Sequence, residues 1–143
     1  MTTVSSRRWK RSRGAAMLET ALIFLVFTAM LIGAFDFAQL LFIHQALVER
    51  ARYAARWGAL SDPNNLTAVA NMIMYNQPTT PPDGTPGYFG LNTDVVHVTR
   101  PNVGENDCLV VLISNYRYTM LSPYVTGSYN GPNIEVSIPL GLD

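Results

Sequence analysis

The sequence has little of what disulfide-stapled, metal-binding or catalytic proteins need. It holds one cysteine, Cys108, so no internal disulfide can form, and two histidines, His44 and His97, far apart in the chain. We expect a buried thiol at Cys108, which stands in an apolar run, and surface or satisfied core positions for the histidines. The common phosphate-loop, nucleophile-elbow and metalloprotease motifs are missing, and no paired carboxylates share an apolar segment. These absences argue against an enzyme and against a metal or other cofactor.

Acidic residues are missing from the start of the chain. Before Glu19 every charged side chain is basic, and these five residues are Arg7, Arg8, Lys10, Arg11 and Arg13. The formal net charge of zero is therefore an average over unlike parts, since residues 15–143 keep five basic and ten acidic residues, a balance of −5. Such a balance argues against a nucleic-acid partner, because phosphate binding needs a clustered cationic face.

A long apolar stretch follows the basic segment. Residues 15–35 are twenty-one residues with one charge, Glu19, which is long enough for a helix to cross a hydrocarbon core of about 30 Å. The preceding basic residues predict a cytoplasmic N-terminus and an exported C-terminal part. In a bacterium this means a single-pass inner-membrane protein with a periplasmic domain. A removed secretory signal is the alternative, but its apolar region is about 7–15 residues long and ends at a small-residue site that this chain lacks.

Glu19 is the unusual residue of the apolar stretch. A carboxylate in a membrane helix costs about 2.5–3.5 kcal/mol at the bilayer centre and less near an edge, so a place near the headgroups would explain it without a function. A second interpretation comes from its spacing. A cut after Gly14 would create an amine on Ala15, about 6 Å of helix rise from Glu19. The two charges could neutralise each other within one chain or between neighbours, where the pair would fix their axial register.

This order of features resembles the class III signal of type IV prepilins: a basic leader, a glycine, four small or apolar residues, a glutamate and an apolar helix. The resemblance implies that a prepilin peptidase cuts after Gly14, that Ala15 becomes the N-terminus and that Glu19 is the register carboxylate. The partners it implies are this peptidase, other pilins and pseudopilins, the inner-membrane assembly platform and membrane lipid.

Three segments are similar to the TadE family, pseudopilins of the tight-adherence (Flp, type IVc) pilus system. They are RGAAMLETALIF at 13–24, QALVERARYAARWGAL at 45–60 and CLVVLISNYRYTMLSP at 108–123. Thr20 and Leu25 depart from the family pattern, which leaves TadF-like and other minor pseudopilins open. The implied function is that of a minor pseudopilin in pilus assembly, with the extracellular pilus as a further location. The alternative is an unprocessed, membrane-anchored periplasmic scaffold or binding protein of a secretion system.

Beyond the span, the pattern predicts an α+β fold in which a long N-terminal helix packs on a small antiparallel sheet. Apolar and small residues recur at three- and four-residue steps on one face, which holds Leu40, Ile43, Leu47, Ala51, Ala54 and Gly58. The opposite face holds Gln45, Glu49, Arg52 and Arg56. We expect one helix over 15–60, stopped by Gly58 with Asp62 and Pro63. Its small residues suit packing either on the following domain or on other pilin helices.

These patterns divide the chain into five parts: leader 1–14, transmembrane helix 15–36, amphipathic continuation 37–60, short helix with a Pro/Gly-rich loop 61–90, and antiparallel sheet module 91–143. The short helix is predicted at 66–76, capped by Asn64 or Asn65. The predicted strands are 94–100, 108–118 and 133–140, with the second in the centre and residues 127–132 as a loop.

Overall fold

The computed structural model describes residues 8–82, 84–101, 107–122 and 127–140, with side chains from Gly14 onward. The predicted leader residue Arg7 and the side chains of Arg8, Lys10, Arg11 and Arg13 lie outside the described part. The elements are α1 (Arg8–Ser61), α2 (Leu66–Tyr75), a 3-10 turn (Tyr88–Gly90), β1 (Val96–Thr99), β2 (Cys108–Ile113), β3 (Arg117–Thr119), β4 (Ser128–Asn130) and β5 (Ile134–Pro139). The predicted α+β class, with a long apolar helix and a small antiparallel sheet, is confirmed.

Helix α1 is one continuous helix of 54 residues, as the apolar and amphipathic patterns together predict. It passes Gly58 and ends at Ser61, directly before Asp62 and Pro63, so the predicted stop at these two residues is confirmed and the predicted part of Gly58 in it is wrong. Gly58 is buried, and a Cβ atom there would lie 2.5 Å from Cγ2 of Val69 in α2. Its missing side chain therefore serves close approach of α2 rather than helix termination.

Helix α2 begins and ends with asparagines. The Asn65 side-chain oxygen accepts a hydrogen bond from the Ala68 backbone N–H at 3.1 Å, which satisfies one of the free donors of the first turn. Asn65 is therefore the cap, and Asn64 is not. At the other end Asn76 adopts the left-handed conformation, with φ of 60°, and its N–H donates to the Met72 carbonyl.

The three-stranded sheet has the order β1-β2-β5 with antiparallel pairing, so the predicted central strand is confirmed. The predicted strand 108–118 is divided between β2 and β3, because Asn115 takes a positive φ of 56°. Strand β4 lies inside the predicted loop 127–132 and was missed. The pairing of β4 with β3 continues the register of the pairing of β2 with β5. Ile113 pairs with Ile134, and Arg117, four residues after Ile113, pairs with Asn130, four residues before Ile134. The two ladders are thus one long, bent hairpin.

The core lies where α1 and α2 cover one face of the sheet. The predicted apolar stripe of α1 is buried from Ile43 onward and half-buried at Leu40, whereas its predicted polar face is exposed. The small residues of the stripe therefore pack on the C-terminal module, by which we mean the part of the chain that follows α1. Burial alternates along β2, with Leu109 and Val111 buried and Cys108 half-buried. The prediction of a buried thiol is wrong, because Cys108 belongs to the strand positions that face away from the core.

Candidate functional site: the helix surface and its junction with the C-terminal module

The first half of α1 presents an apolar surface that the rest of the fold does not cover. An 18-residue window reaches a mean hydropathy of 2.2, and none of it is buried. The exposed large side chains of this segment are Met17, Leu18, Leu22, Ile23, Phe24, Leu25, Val26, Phe27, Met30, Leu31 and Phe35. A continuous apolar surface of this length suits hydrocarbon rather than water. By length and composition, α1 is consistent with a membrane anchor.

The predicted processing and register residues lie together at the start of this surface. Gly14, Ala15 and Glu19 are all exposed. A Cβ atom at Gly14 would meet nothing within 4 Å, so the fold itself does not require a glycine there. No described residue donates a hydrogen bond to the Glu19 carboxylate. Next to it, the Thr20 hydroxyl donates to the Ala16 carbonyl at 2.9 Å, so this polar side chain is satisfied within the helix.

Asp36 joins the apolar segment to the C-terminal module. Its two carboxylate oxygens accept hydrogen bonds from the backbone N–H groups of Leu121, at 2.6 Å, and Ser122, at 3.1 Å. These donors follow β3, so the bent hairpin reaches along α1 to the end of the apolar stretch. Asp36 lies on the same face of α1 as Ile43 and Leu47. Ile43 is seven residues after Asp36 and Leu47 four residues after Ile43, and residues at these spacings share one face of a helix. The core-facing stripe of α1 therefore begins with an acid that binds backbone donors.

A second contact fixes the hairpin higher on α1. The Tyr116 hydroxyl lies 2.9 Å from Nδ1 of His44, and the Tyr116 ring is buried. Burial raises the pKa of this hydroxyl, because the charged form loses water. The ring fits only because residue 131 is a glycine, whose added Cβ would lie 1.9 Å from the ring. His44 is thus a satisfied, half-buried histidine and His97 is exposed on β1, as expected.

Arg50 holds the 3-10 turn against α1. Its Nε donates to the Ile73 carbonyl at 2.9 Å, and its guanidinium lies 3.9 Å from the centre of the Tyr88 ring. Loss of water lowers the pKa of Arg50, and the Tyr88 hydroxyl acts in the opposite direction. Nη2 is buried without a hydrogen-bond partner among the described residues. The turn that carries Tyr88 is therefore tied to both helices.

At the opposite end of the module, Arg100 and Asp107 form an ion pair. Nε of Arg100 donates to both carboxylate oxygens, at 2.8 and 3.0 Å, and Nη2 also contacts the carboxylate. Nη1 donates to the Asn64 side chain, which links the sheet to the turn between α1 and α2. The hydrogen bonds from Arg100 hold the pKa of Asp107 below its ordinary value, although burial acts in the opposite direction. This pair braces the fold far from the apolar segment.

Comparison with known families adds one finding to this geometry. The family model described as TadE-like protein matches residues 14–56, which begin at Gly14 and reach into the part of α1 that packs on the module. Over residues 14–56 the chain is similar to TadE-like proteins. This confirms the resemblance to TadE for the first segment and most of the second, whereas the third, at 108–123, lies outside the TadE-like match and stays a prediction. Searches of curated proteins and of solved structures gave no match.

Two residues of the junction were not singled out by the sequence reasoning. Asp36 is the last residue of the predicted transmembrane helix 15–36 and Leu121 lies beyond the predicted strand 108–118, and the structure brings them together. A signal for Asp36 was present, because it follows the apolar stretch directly and stands in phase with the buried stripe. No comparable signal marks Leu121, because its contact joins positions 85 residues apart.

Proposed function

We propose that this protein is a TadE-like minor pseudopilin that takes part in assembly of a tight-adherence (Flp-type) pilus. The observation that carries the proposal is the position of the TadE-like match. It begins at Gly14 and covers an apolar, uncovered helix that continues without a break into a packed module. A helix of this kind can lie in lipid and then against the helices of other pilins and pseudopilins.

In this proposal a prepilin peptidase hydrolyses the bond between Gly14 and Ala15. Water adds across the peptide bond, which leaves a carboxylate on Gly14 and an amine on Ala15. The bond lies within the helical range of α1, and glycine costs a helix about 0.8–1.0 kcal/mol relative to alanine, so it helps the backbone to open. The absence of a side chain also lets the peptidase approach the backbone closely.

The new amine and Glu19 form the assembly element. Both stand at the start of the apolar surface, one turn apart, where an isolated charge is costly. When helices lie side by side, an amine of one chain paired with the Glu19 of another would fix their relative height. The basic leader keeps the N-terminus in the cytoplasm and places the C-terminal module in the periplasm. The assembly platform of the inner membrane then receives the processed chain.

Substitution at Gly14 tests the cut. Gly14→Leu should leave the leader attached, because a bulky side chain blocks access to the bond, while the fold has room for it. Gly33→Leu is the matched control, since Gly33 lies in the same helix and an added Cβ there also meets nothing within 4 Å. Intact mass and N-terminal sequencing of protein from cell envelopes distinguish the forms.

The outcomes separate the two candidate functions. A wild-type and a Gly33→Leu protein that begin at Ala15, together with an uncut Gly14→Leu protein, support the pseudopilin. A Gly14→Leu protein that still begins at Ala15 contradicts the assigned cut. A wild-type protein that keeps residues 1–14 instead supports the unprocessed periplasmic scaffold or binding protein.

A further inference from the structure

The end of the bent hairpin lies at the level where the apolar segment of α1 ends. The Asp36 carboxylate holds the backbone of Leu121 and Ser122 beside the helix, and the Leu121 side chain is 71% exposed. From Glu19 to Asp36 the helix rises about 26 Å, at 1.5 Å per residue. A hydrocarbon core is about 30 Å thick. With Glu19 at one boundary, Asp36 therefore lies within about 4 Å of the other boundary, and the backbone of Leu121 lies beside it.

Large apolar side chains continue past Asp36 on the faces of α1 that the module leaves open. Phe37, Leu41 and Phe42 are exposed, and Phe42 is about 9 Å of helix rise beyond Asp36. The headgroup region on each side of a bilayer is about 5–8 Å deep. These side chains thus extend the lipid-facing surface through the depth of the headgroups.

The 3-10 turn places aromatic rings beside α1 farther from the apolar segment, next to Phe42 and Arg50. The Phe89 ring meets the Phe42 ring edge-on with centres 6.4 Å apart, and the Tyr88 ring lies 6.0 Å from that of Phe89. Phe89 has a positive φ of 52°, which a bulky residue rarely adopts, so the turn holds this ring in place at a conformational cost. Tyr88 is 55% exposed even though Arg50 lies against its ring.

We propose that the C-terminal module rests on the bilayer that α1 spans, with Leu121 in the headgroup layer. The occupant is lipid, because Leu121 lies where the uncovered apolar segment of α1 ends, and the exposed side chains of Phe37 and Leu41 continue that apolar surface just beyond it. Asp36 is the positioning residue, since its carboxylate fixes the hairpin at that height. The inference rests on the membrane anchoring in the proposed function, but it does not depend on processing or on pilus assembly.

Spin labels in the full chain test this proposal. The protein is reconstituted in phospholipid nanodiscs of mixed phosphatidylethanolamine and phosphatidylglycerol, in a Cys108→Ser background, with Leu121→Cys carrying a nitroxide. Leu60→Cys is the matched control, because Leu60 is 88% exposed at the far end of α1. Phe27→Cys, in the middle of the apolar segment, marks the hydrocarbon. Collision rates with oxygen and with a water-soluble nickel chelate give the depth of each label.

We expect the label at position 121 to have a severalfold higher ratio of oxygen to nickel collisions than the label at position 60, and a lower ratio than the label at 27. Asp36→Asn should shift the label at 121 toward the values of position 60, because an amide nitrogen cannot accept a backbone N–H. If the labels at positions 121 and 60 have equal ratios of oxygen to nickel collisions while the label at position 27 has the ratio typical of hydrocarbon, this inference is overturned and the membrane anchoring is not. A water-like ratio at 27 overturns the membrane anchoring as well. Dipolar broadening at 121 with low access to both reagents shows a second copy there, which also overturns lipid as the occupant.

Discussion

At the scale of single residues, the ion pair of Arg100 and Asp107 shows how a charge can be used inside a small module. Only 16% and 9% of the two side chains are exposed. Withdrawal of charges from water is unfavourable, and the pair is tolerated because several hydrogen bonds satisfy the carboxylate. Removal of either partner would leave the other buried and unpaired.

The lowered pKa of Asp107 has a direct consequence for stability against pH. The carboxyl binds a proton less readily in the folded chain than in the unfolded chain, whose ordinary value is 3.8. Its contribution to the free energy of unfolding is therefore complete above that value and is lost as the pH falls through the lower folded value. We expect Asp107→Asn to reduce stability at pH 7 and to flatten the loss of stability as the pH falls below the ordinary pKa of 3.8.

Urea unfolding of the full chain in detergent micelles, followed by the fluorescence of Trp57, measures this effect at each pH. Asp94→Asn is the matched control, because Asp94 is an exposed acid just before β1. It should keep the wild-type dependence on pH. Superimposable pH curves for wild type and Asp107→Asn would show that the ion pair does not couple folding to protonation.

At the scale of elements, the approach of α1 to α2 depends on small residues. Ala51, Ala54 and Gly58 are the small residues of the stripe, and all three are buried. Helices with small residues at the contact can pack with short axis separations, and any added atom must displace a neighbour. At Gly58 these neighbours are Val69 of α2 and Leu109 of β2.

Gly58→Ala should therefore destabilise the module even though alanine is the better helix former. The added Cβ would lie 2.5 Å from Val69 and 3.1 Å from Leu109, and overpacking of this kind costs about 1–3 kcal/mol. Gly33→Ala is the control, because it brings the same gain in helix propensity in an open position. Thermal unfolding by circular dichroism compares the two. A Gly58→Ala protein as stable as Gly33→Ala would mean that the helices adjust without strain.

The bent hairpin is the other element that sets the architecture. The hairpin bends at Asn115 and Tyr116. On one side of the bend its two segments are β2 and β5 of the three-stranded sheet, and on the other side they are β3 and β4, which form an arm along α1. Gly131 donates to the Tyr116 carbonyl at 2.9 Å across the bend, so the pairing is kept where the strands turn. The arm thereby reaches Asp36, which a flat sheet over β2 and β5 alone would not.

At the scale of the whole molecule, the chain is a long helix with a module on its second half. The module covers α1 from about Ile43 onward, and the segment before Asp36 stays uncovered. One part of the helix is thus left for lipid or for other helices, while the other part is fixed to the protein's own sheet. This division is what the proposed assembly through the N-terminal helix requires.

Glu19→Ala tests assembly separately from processing. We expect normal cutting after Gly14, but a decrease in surface pili of about tenfold or more, because an unpaired charge in apolar surroundings costs about 2.5–3.5 kcal/mol and 1.4 kcal/mol corresponds to a factor of ten. Glu49→Ala is the control, an exposed acid on the same helix beyond the apolar segment. Electron microscopy counts the pili, and immunogold labelling of sheared fibres locates the protein. Wild-type piliation in the Glu19→Ala strain would remove the register role.

Features that depend on neighbours along the chain can be predicted from the order of the residues. The apolar stretch, the spacing of Gly14 and Glu19, the helical stripe and the position of β2 all follow from local order and periodicity. These patterns record which faces are apolar, and burial of apolar surface then orders the elements.

The contacts that join distant segments depend instead on how the elements pack in three dimensions. The bonds of Asp36 to Leu121, of His44 to Tyr116 and of Arg100 to Asn64 link positions 85, 72 and 36 residues apart. The periodicity of the sequence does not predict such pairs, because each of these polar groups could equally well form hydrogen bonds with water. Its partner is known only from the folded structure. The role of Gly58 was misjudged for the same reason: a glycine near a helix end predicts a stop, and only the packed neighbour shows that the residue makes room for α2.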